Sequence, residues 1–216
     1  MEKYRCAPPH LGMAQRLIIR RIEIVQQPSF QTQLDAGLAV LQSLAGQAQQ
    51  IEQIAATVRD VLLAGHTLLT CGNGGSATDA QHLAEELIGR YRANRRALSA
   101  IALTADSAAL TCIANDFGYD AVFSRQVEGL ARPGDLLLCF STSGNSPNIS
   151  AALRAARARG AGTIALLGKD GGAARGLADQ ALVVASADTA HIQAAHLQIL
   201  HYICELVEVA VLRAED

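Results

Sequence analysis

Four hydroxyl side chains crowd into six residues at Ser141-Thr142-Ser143-Gly144-Asn145-Ser146. The apolar run before them, Asp135 to Phe140, reads as a strand, and Pro147 suits the first position of a following helix. The loop therefore sits where backbone N–H groups point outward with partial positive charge, and the hydroxyls add further donors. That is an anion site. It contains no Lys or Arg, so it suits a phosphomonoester better than a triphosphate with magnesium. A capped turn would also be rich in Ser and Gly, but one cap does not need four hydroxyls.

A second loop, Gly72-Asn73-Gly74-Gly75-Ser76-Ala77, has the G-x-G-x-x-A spacing of a dinucleotide fingerprint. The acidic ribose partner should close the second strand about 20 residues on. Here Thr104 and Ala105 follow that strand, and Asp106 falls where the next helix should start, so it reads as a cap. No G-K-S/T occurs, which excludes a Walker loop.

The titratable candidates lie on two helices. His82 and Glu86 are four apart and share one face of a helix, as a metal pair, an acid/base pair or a surface hydrogen-bonded pair would. The C-terminal helix carries His191, Gln193, His196, His201 and Glu205 among apolar residues. Gln193 and His201 lie within about 80° around its axis but about 12 Å apart along it, so one straight helix would not easily present both to one ion. His196 reads as a satisfied core histidine. The segment Ala114-Asn115-Asp116-Phe117-Gly118 reads as a turn whose Asn115 and Asp116 could also bind sugar hydroxyls.

The elements that must position these groups follow from periodicity. Leu34, Leu38, Leu41 and Leu44, then Ile51, Ile54, Val58 and Leu62, recur at helical spacing, with a break near Gly46. Short apolar runs follow at 66–71, 100–103, 135–140, 163–167 and 181–184, with helical stretches between them. Alternating buried strands and helices predict an α/β fold: a parallel five-stranded sheet flanked by helices, with an N-terminal helical extension. Gly160 and Gly162 suit a helix C-terminus and the turn after it. The segment from about Thr189 to Arg213 is apolar almost all round, which predicts burial on most faces, most easily reached by oligomerising.

Composition bounds the rest. The chain of 216 residues is half hydrophobic but only 4% aromatic, which favours small packed helices over a β-sandwich. The net charge of −2 gives no footprint for nucleic acid, although Arg90 to Arg96 could form a local basic patch. Five cysteines, without a C-x-x-C pair, read as buried thiols of a reducing compartment, hence a cytoplasmic protein. No apolar run approaches a membrane span, and residues 1–21 lack a signal-peptide layout. Residues 1–29 are expected to be a poorly ordered leader or extension, with a true start at Met13 as the alternative, and 30–216 a single domain including the N-terminal helices.

Taken together the motifs resemble the phosphoheptose isomerase family of the sugar isomerase (SIS) fold, a flavodoxin-like three-layer sandwich. The resemblance rests on Cys71 to Ser76, Asp79-Ala80-Gln81-His82, Ala84 to Leu87, Gly89-Arg90-Tyr91, Ala114 to Gly118, Ser141 to Asn148, Gly168 to Gly172, and Ile192-Gln193 with His196 and His201. It covers roughly Gln31 to Glu208. The resemblance implies a homotetramer with active sites between subunits, in which Ser76, Ser141, Thr142, Ser143 and Ser146 surround the substrate phosphate. It implies that Asn73, Gly74, Gly75, Asn115 and Asp116 line the sugar site, with Glu86 and Gln193 also touching substrate. His82, Glu86, Gln193 and His201 match positions that bind zinc in family members, and Glu86 and His201 match the catalytic base and acid. The implied reaction turns sedoheptulose 7-phosphate into D-glycero-D-manno-heptose 7-phosphate, the first step toward ADP- or GDP-heptose precursors.

The chain departs from the family pattern in places. Ala194 stands where Glu is usual, His191 replaces a frequent Arg, and Ala190 stands where some members carry a polar residue. Two other readings have the same fold: a non-catalytic phosphosugar-binding or replication-regulatory protein, and an isomerase of another sugar phosphate. The regulator it resembles lacks the acid/base pair, and this chain retains both Glu86 and His201.

Overall fold

The computed structural model describes residues 29–215. The expected leader, with Cys6 and Met13, lies outside the described residues except for Ser29. The chain divides into two units, 1–36 and Gly37–Asp216. Of the first, residues 29–36 are described, and they begin a helix, α1 (Phe30–Ser43).

In the second unit α1 ends in a short 3-10 turn, Leu44–Gln47, at the expected break, and α2 (Ala48–Leu63) follows. Five strands alternate with helices: β1 (Leu68–Gly72), α3 (Gly75–Ile88), β2 (Ala100–Ala102), α4 (Ser107–Phe117), α5 (Ser124–Leu130), β3 (Leu136–Ser141), α6 (Pro147–Ala158), β4 (Gly162–Gly168), β5 (Gln180–Val184) and α7 (Thr189–Glu215). All strands pair in parallel, in the order β2-β1-β3-β4-β5. The order reverses between β1 and β3, and in open parallel sheets ligands bind at such a reversal, beyond the strand C-termini.

The central strands are buried on both faces because nearly all of their residues are apolar, Thr70, Ser141 and Thr163 being the buried polar exceptions within them. Leu68, Leu136, Leu138, Phe140, Ile164 and Leu166 pack toward α2, α3 and α7. Leu69, Cys71, Leu137, Cys139, Ala165 and Leu167 pack toward α5 and α6. Each fully buried large aliphatic side chain contributes about 1.5–3 kcal/mol of transfer free energy.

Three expectations change. Residues Ala114 to Phe117 are the last turn of α4, and the turn comes only at Gly118, whose φ is 83°. Of the described cysteines Cys71, Cys139 and Cys204 are buried, but Cys112 is exposed. Within this chain the C-terminal helix is buried on one face, and the expected burial of its other faces would fall to partner subunits. Ile192, Ala195, Ile199, Leu200, Ile203, Val207 and Val211 form one buried stripe, and Val209 is exposed. At 27 residues, with an 18-residue stretch of mean hydropathy 1.4, that helix has the length and composition to cross a membrane, contrary to the sequence reading. Its stripe packs against α2 and α3, so it is a core helix of this sheet.

His196 is the core histidine expected. It is fully buried, with Nε2 3.1 Å from the Leu167 carbonyl and Nδ1 without a partner. Burial lowers its pKa to about 4, with the Leu167 bond pulling the other way. Above the unfolded value near 6.5 the imidazole is neutral in both states, and the stability it contributes is whole. Below that the unfolded chain takes up the proton first, and stability falls until the folded imidazole also protonates near pH 4. Lowering the pH from 7 to 5 should cost about 2 kcal/mol through this group alone. Urea unfolding of the wild type and of His196→Gln at both pH values checks this: the variant should lose less stability on acidification. Equal losses would refute it.

Candidate active site

The two glycine-rich loops meet at the sheet reversal. β1 ends at Gly72 and β3 at Ser141, in adjacent register. Between them lies a small cavity of about 50 Å³ lined by Asn73, Ser76, Phe140, Ser141, Thr142, Ser143 and Ser146. This space suits one small polyatomic group held among hydroxyls.

The hydroxyl loop holds its shape through its own side chains. Ser141 Oγ accepts the Gly144 N–H at 3.0 Å, and Ser143 Oγ accepts the Asn145 N–H at 3.2 Å. A hydroxyl that accepts from the backbone still has its own proton to donate. Ser146 is the N-cap of α6 but makes no side-chain cap bond, so its hydroxyl is uncommitted. Gly144 takes φ 64°, and a Cβ there would run into the Gly171 carbonyl. The hydroxyl loop is thus packed directly on the 168–172 loop, and Gly144 O accepts the Ala174 N–H at 2.9 Å.

The first loop is fastened across the reversal. Asn73 and Asn148 exchange two amide hydrogen bonds, each 2.9 Å, and the Tyr119 hydroxyl donates to Asn73 Oδ1 at 3.0 Å. Asn148 and Tyr119 are site residues that sequence reasoning missed. Asn148 stood within a quoted motif, and its near-complete burial marks it only once the fold is known. Asn115 and Asp116 are exposed on the last turn of α4, hydrogen-bonded to each other at 2.7 Å, and do not line the small cavity.

The acid/base candidates converge one step farther along α3. His82, Glu86 and His201 each offer a ligand atom, all within 4.8 Å of one another. His82 Nε2 lies 3.3 Å from Glu86 Oε1. Ligand bonds of about 2.0–2.1 Å in a tetrahedral zinc site put neighbouring donor atoms about 3.3–3.4 Å apart, and two imidazoles with a carboxylate are a donor set zinc accepts. These three residues therefore fit a divalent metal such as zinc. Gln193 sits elsewhere on the same unbroken helix, two turns before His201, with its amide against Gly75. A Cβ at residue 75 would collide with that amide, so only glycine lets α7 approach the start of α3 this closely. Gly75 meets Gln193, and His82 and Glu86 meet His201, so the two helices run side by side in the same direction.

Burial lowers the pKa of His201, with His82 and Arg92 pushing the same way and Glu86 opposing them. A neutral imidazole is favoured there, able to ligate a metal or to donate one N–H. Asp79, one turn before His82, is nine-tenths buried with Oδ2 unpartnered, and burial raises its pKa to about 6. The arrangement can grip a phosphate at one end and move protons at the other.

The SIS domain family model matches residues 34–168. The chain belongs to the SIS-domain family. It is 52% identical over 180 residues to the phosphoheptose isomerase of Pelobacter propionicus, a match that covers 83% of this chain and 95% of that one. Among solved structures, a phosphoheptose isomerase from Francisella tularensis matches with TM-score 0.80 and 33% identity, over 83% of this chain and 96% of the other. One from Neisseria gonorrhoeae matches with TM-score 0.75 and 39% identity, over 84% and 100%. Within its family the chain stands among the phosphoheptose isomerases and is an isomerase enzyme acting on a sugar phosphate.

Proposed function

We propose that the chain interconverts sedoheptulose 7-phosphate and D-glycero-D-manno-heptose 7-phosphate through an enediol, in the cytoplasm, as the first step toward ADP- or GDP-heptose precursors. The observation that carries this reading is the meeting of Glu86 and His201, from two helices, the first of which begins at a cavity lined with four loop hydroxyls. Ser76, Ser141, Thr142, Ser143 and Ser146 hold the phosphate, and Asn73, Gly74, Gly75, Asn115, Asp116 and Gln193 serve the sugar. The Glu86 carboxylate takes the proton from C1 of the open-chain ketose, and the electron pair left behind forms the C1–C2 double bond of the enediol. The same carboxylate returns the proton to C2, which yields the aldose. His201 moves the accompanying proton between the two oxygens.

Zinc, one ion per subunit on His82, Glu86 and His201, with Gln193 joining them only by a swing of its amide away from Gly75, would polarise the carbonyl and hydroxyl oxygens as a Lewis acid when bound. The working form is a homotetramer with its sites between subunits, without nucleic-acid or membrane partners.

Incubation of the purified protein with sedoheptulose 7-phosphate, with and without chelator, tests the reaction. Aldoheptose 7-phosphate should form, and less of it after chelation. Retained phosphosugar binding without turnover in either condition would replace the enzyme reading by a binding protein.

A further inference from the structure

The loop between α3 and β2 is fastened by buried charge. Glu208 on α7 is 5% exposed, and its carboxylate accepts the backbone N–H groups of Tyr91 at 3.2 Å, Arg92 at 3.0 and 3.1 Å, and Ala93 at 2.9 Å. The Arg95 side chain is 1% exposed and lies 3.9 Å from the same carboxylate. Its guanidinium donates to the carbonyls of Glu86 at 2.7 Å and Leu87 at 2.8 Å. Those belong to the last turn of α3, where carbonyls have no partner within the helix. The clamp thus joins the end of the helix that carries His82 and Glu86 to the helix that carries His201. Burying such charges is costly, the more so as Arg95 Nε has no hydrogen-bond partner, and a connection from helix to strand does not require it.

The clamp sets Tyr91 against His201. Their rings lie 5.8 Å apart between centroids, with 29° between planes. Arg92 stands 4.7 Å from the centroid of the Tyr91 ring and pairs with Glu205 at 3.1 Å. The His82 ring meets His201 edge-on at 5.1 Å, with 80° between planes. His201 is therefore packed by two rings, one of them from the cluster and the other from the clamped loop.

We propose that Tyr91 is a positioning residue for His201: its ring, held by the Glu208–Arg95 clamp, keeps the imidazole oriented toward Glu86. The proposal rests on the isomerase reading of His201. Tyr91→Leu should lower kcat by about 10²-fold, the scale of a displacement of about 1 Å at a reacting group. KM should change little, because the phosphate cavity lies at the other end of the site. Tyr91→Phe keeps the ring and should restore most of the turnover.

Ring-labelled histidine NMR supplies a readout independent of activity, with the His201 signal assigned by its loss in His201→Gln. Tyr91→Leu should move that signal by removing the ring current, and Tyr91→Phe should leave it near its wild-type position. Wild-type kcat in Tyr91→Leu, or an unmoved His201 signal, would overturn the proposal. If the wild type itself fails to isomerise, the isomerase reading fails, and the His201 signal still decides where Tyr91 holds the ring.

Discussion

Glu86→Gln is expected to lower kcat for sedoheptulose 7-phosphate by about 10²–10⁴-fold, the usual contribution of a positioned acid/base group. Gln preserves the shape of the side chain but cannot take a carbon-bound proton. Glu86 lies at the side of the site away from the hydroxyl loop, so the phosphate grip should survive. Calorimetric titration of the variant with the sugar phosphate should therefore show affinity close to wild type. Because Glu86 stands 3.3 Å from His82 Nε2 in the metal-competent cluster, metal content should be measured alongside. A variant with wild-type turnover would remove Glu86 from the role of base. One that loses metal, and regains turnover when metal is restored, would make it a ligand first.

The second large effect is on stability. Gly144→Ala should destabilise the fold by about 4 kcal/mol, from left-handed backbone strain together with overpacking against the Gly171 carbonyl. For a chain of this size each kcal/mol shifts the melting midpoint by about 2–4 °C, so a drop of about 8–16 °C is expected. Relief by backbone movement would pull the hydroxyl loop off the 168–172 loop, so KM should rise as well. Thermal unfolding of the variant checks the first part and steady-state kinetics the second. An unchanged midpoint would mean that the loop is not held as described.

Much of the architecture was legible because the strands are short, continuous and apolar, and the helices between them keep their periodicity. The place of the hydroxyl loop was legible because an apolar run leads into Ser141 and Pro147 opens the following helix. The pairing of His82 with Glu86 follows from helical spacing. Their meeting with His201 does not, since it depends on how α7 lies along α3, and periodicity contains no information about that. Asn115 and Asp116 show the opposite limit: Asn and Asp favour turns locally, yet here they continue a helix that Asp106 caps, and the chain leaves it only at Gly118 with its positive φ. The amide pair of Asn73 and Asn148 was invisible for a similar reason, because it joins residues 75 positions apart.

The reversal of strand order between β1 and β3 also bears on modularity. Leu68 pairs with Leu136, and between them the chain runs out through β2, α4 and α5 before returning. The carboxylate end of the site comes before that excursion, the phosphate end after it, and His201 only on the last helix. No contiguous fragment that stops short of α7 contains a working half. Natural recombination can therefore exchange this catalytic unit only whole, and a split version of the protein would need both pieces to reunite through the central strand pair.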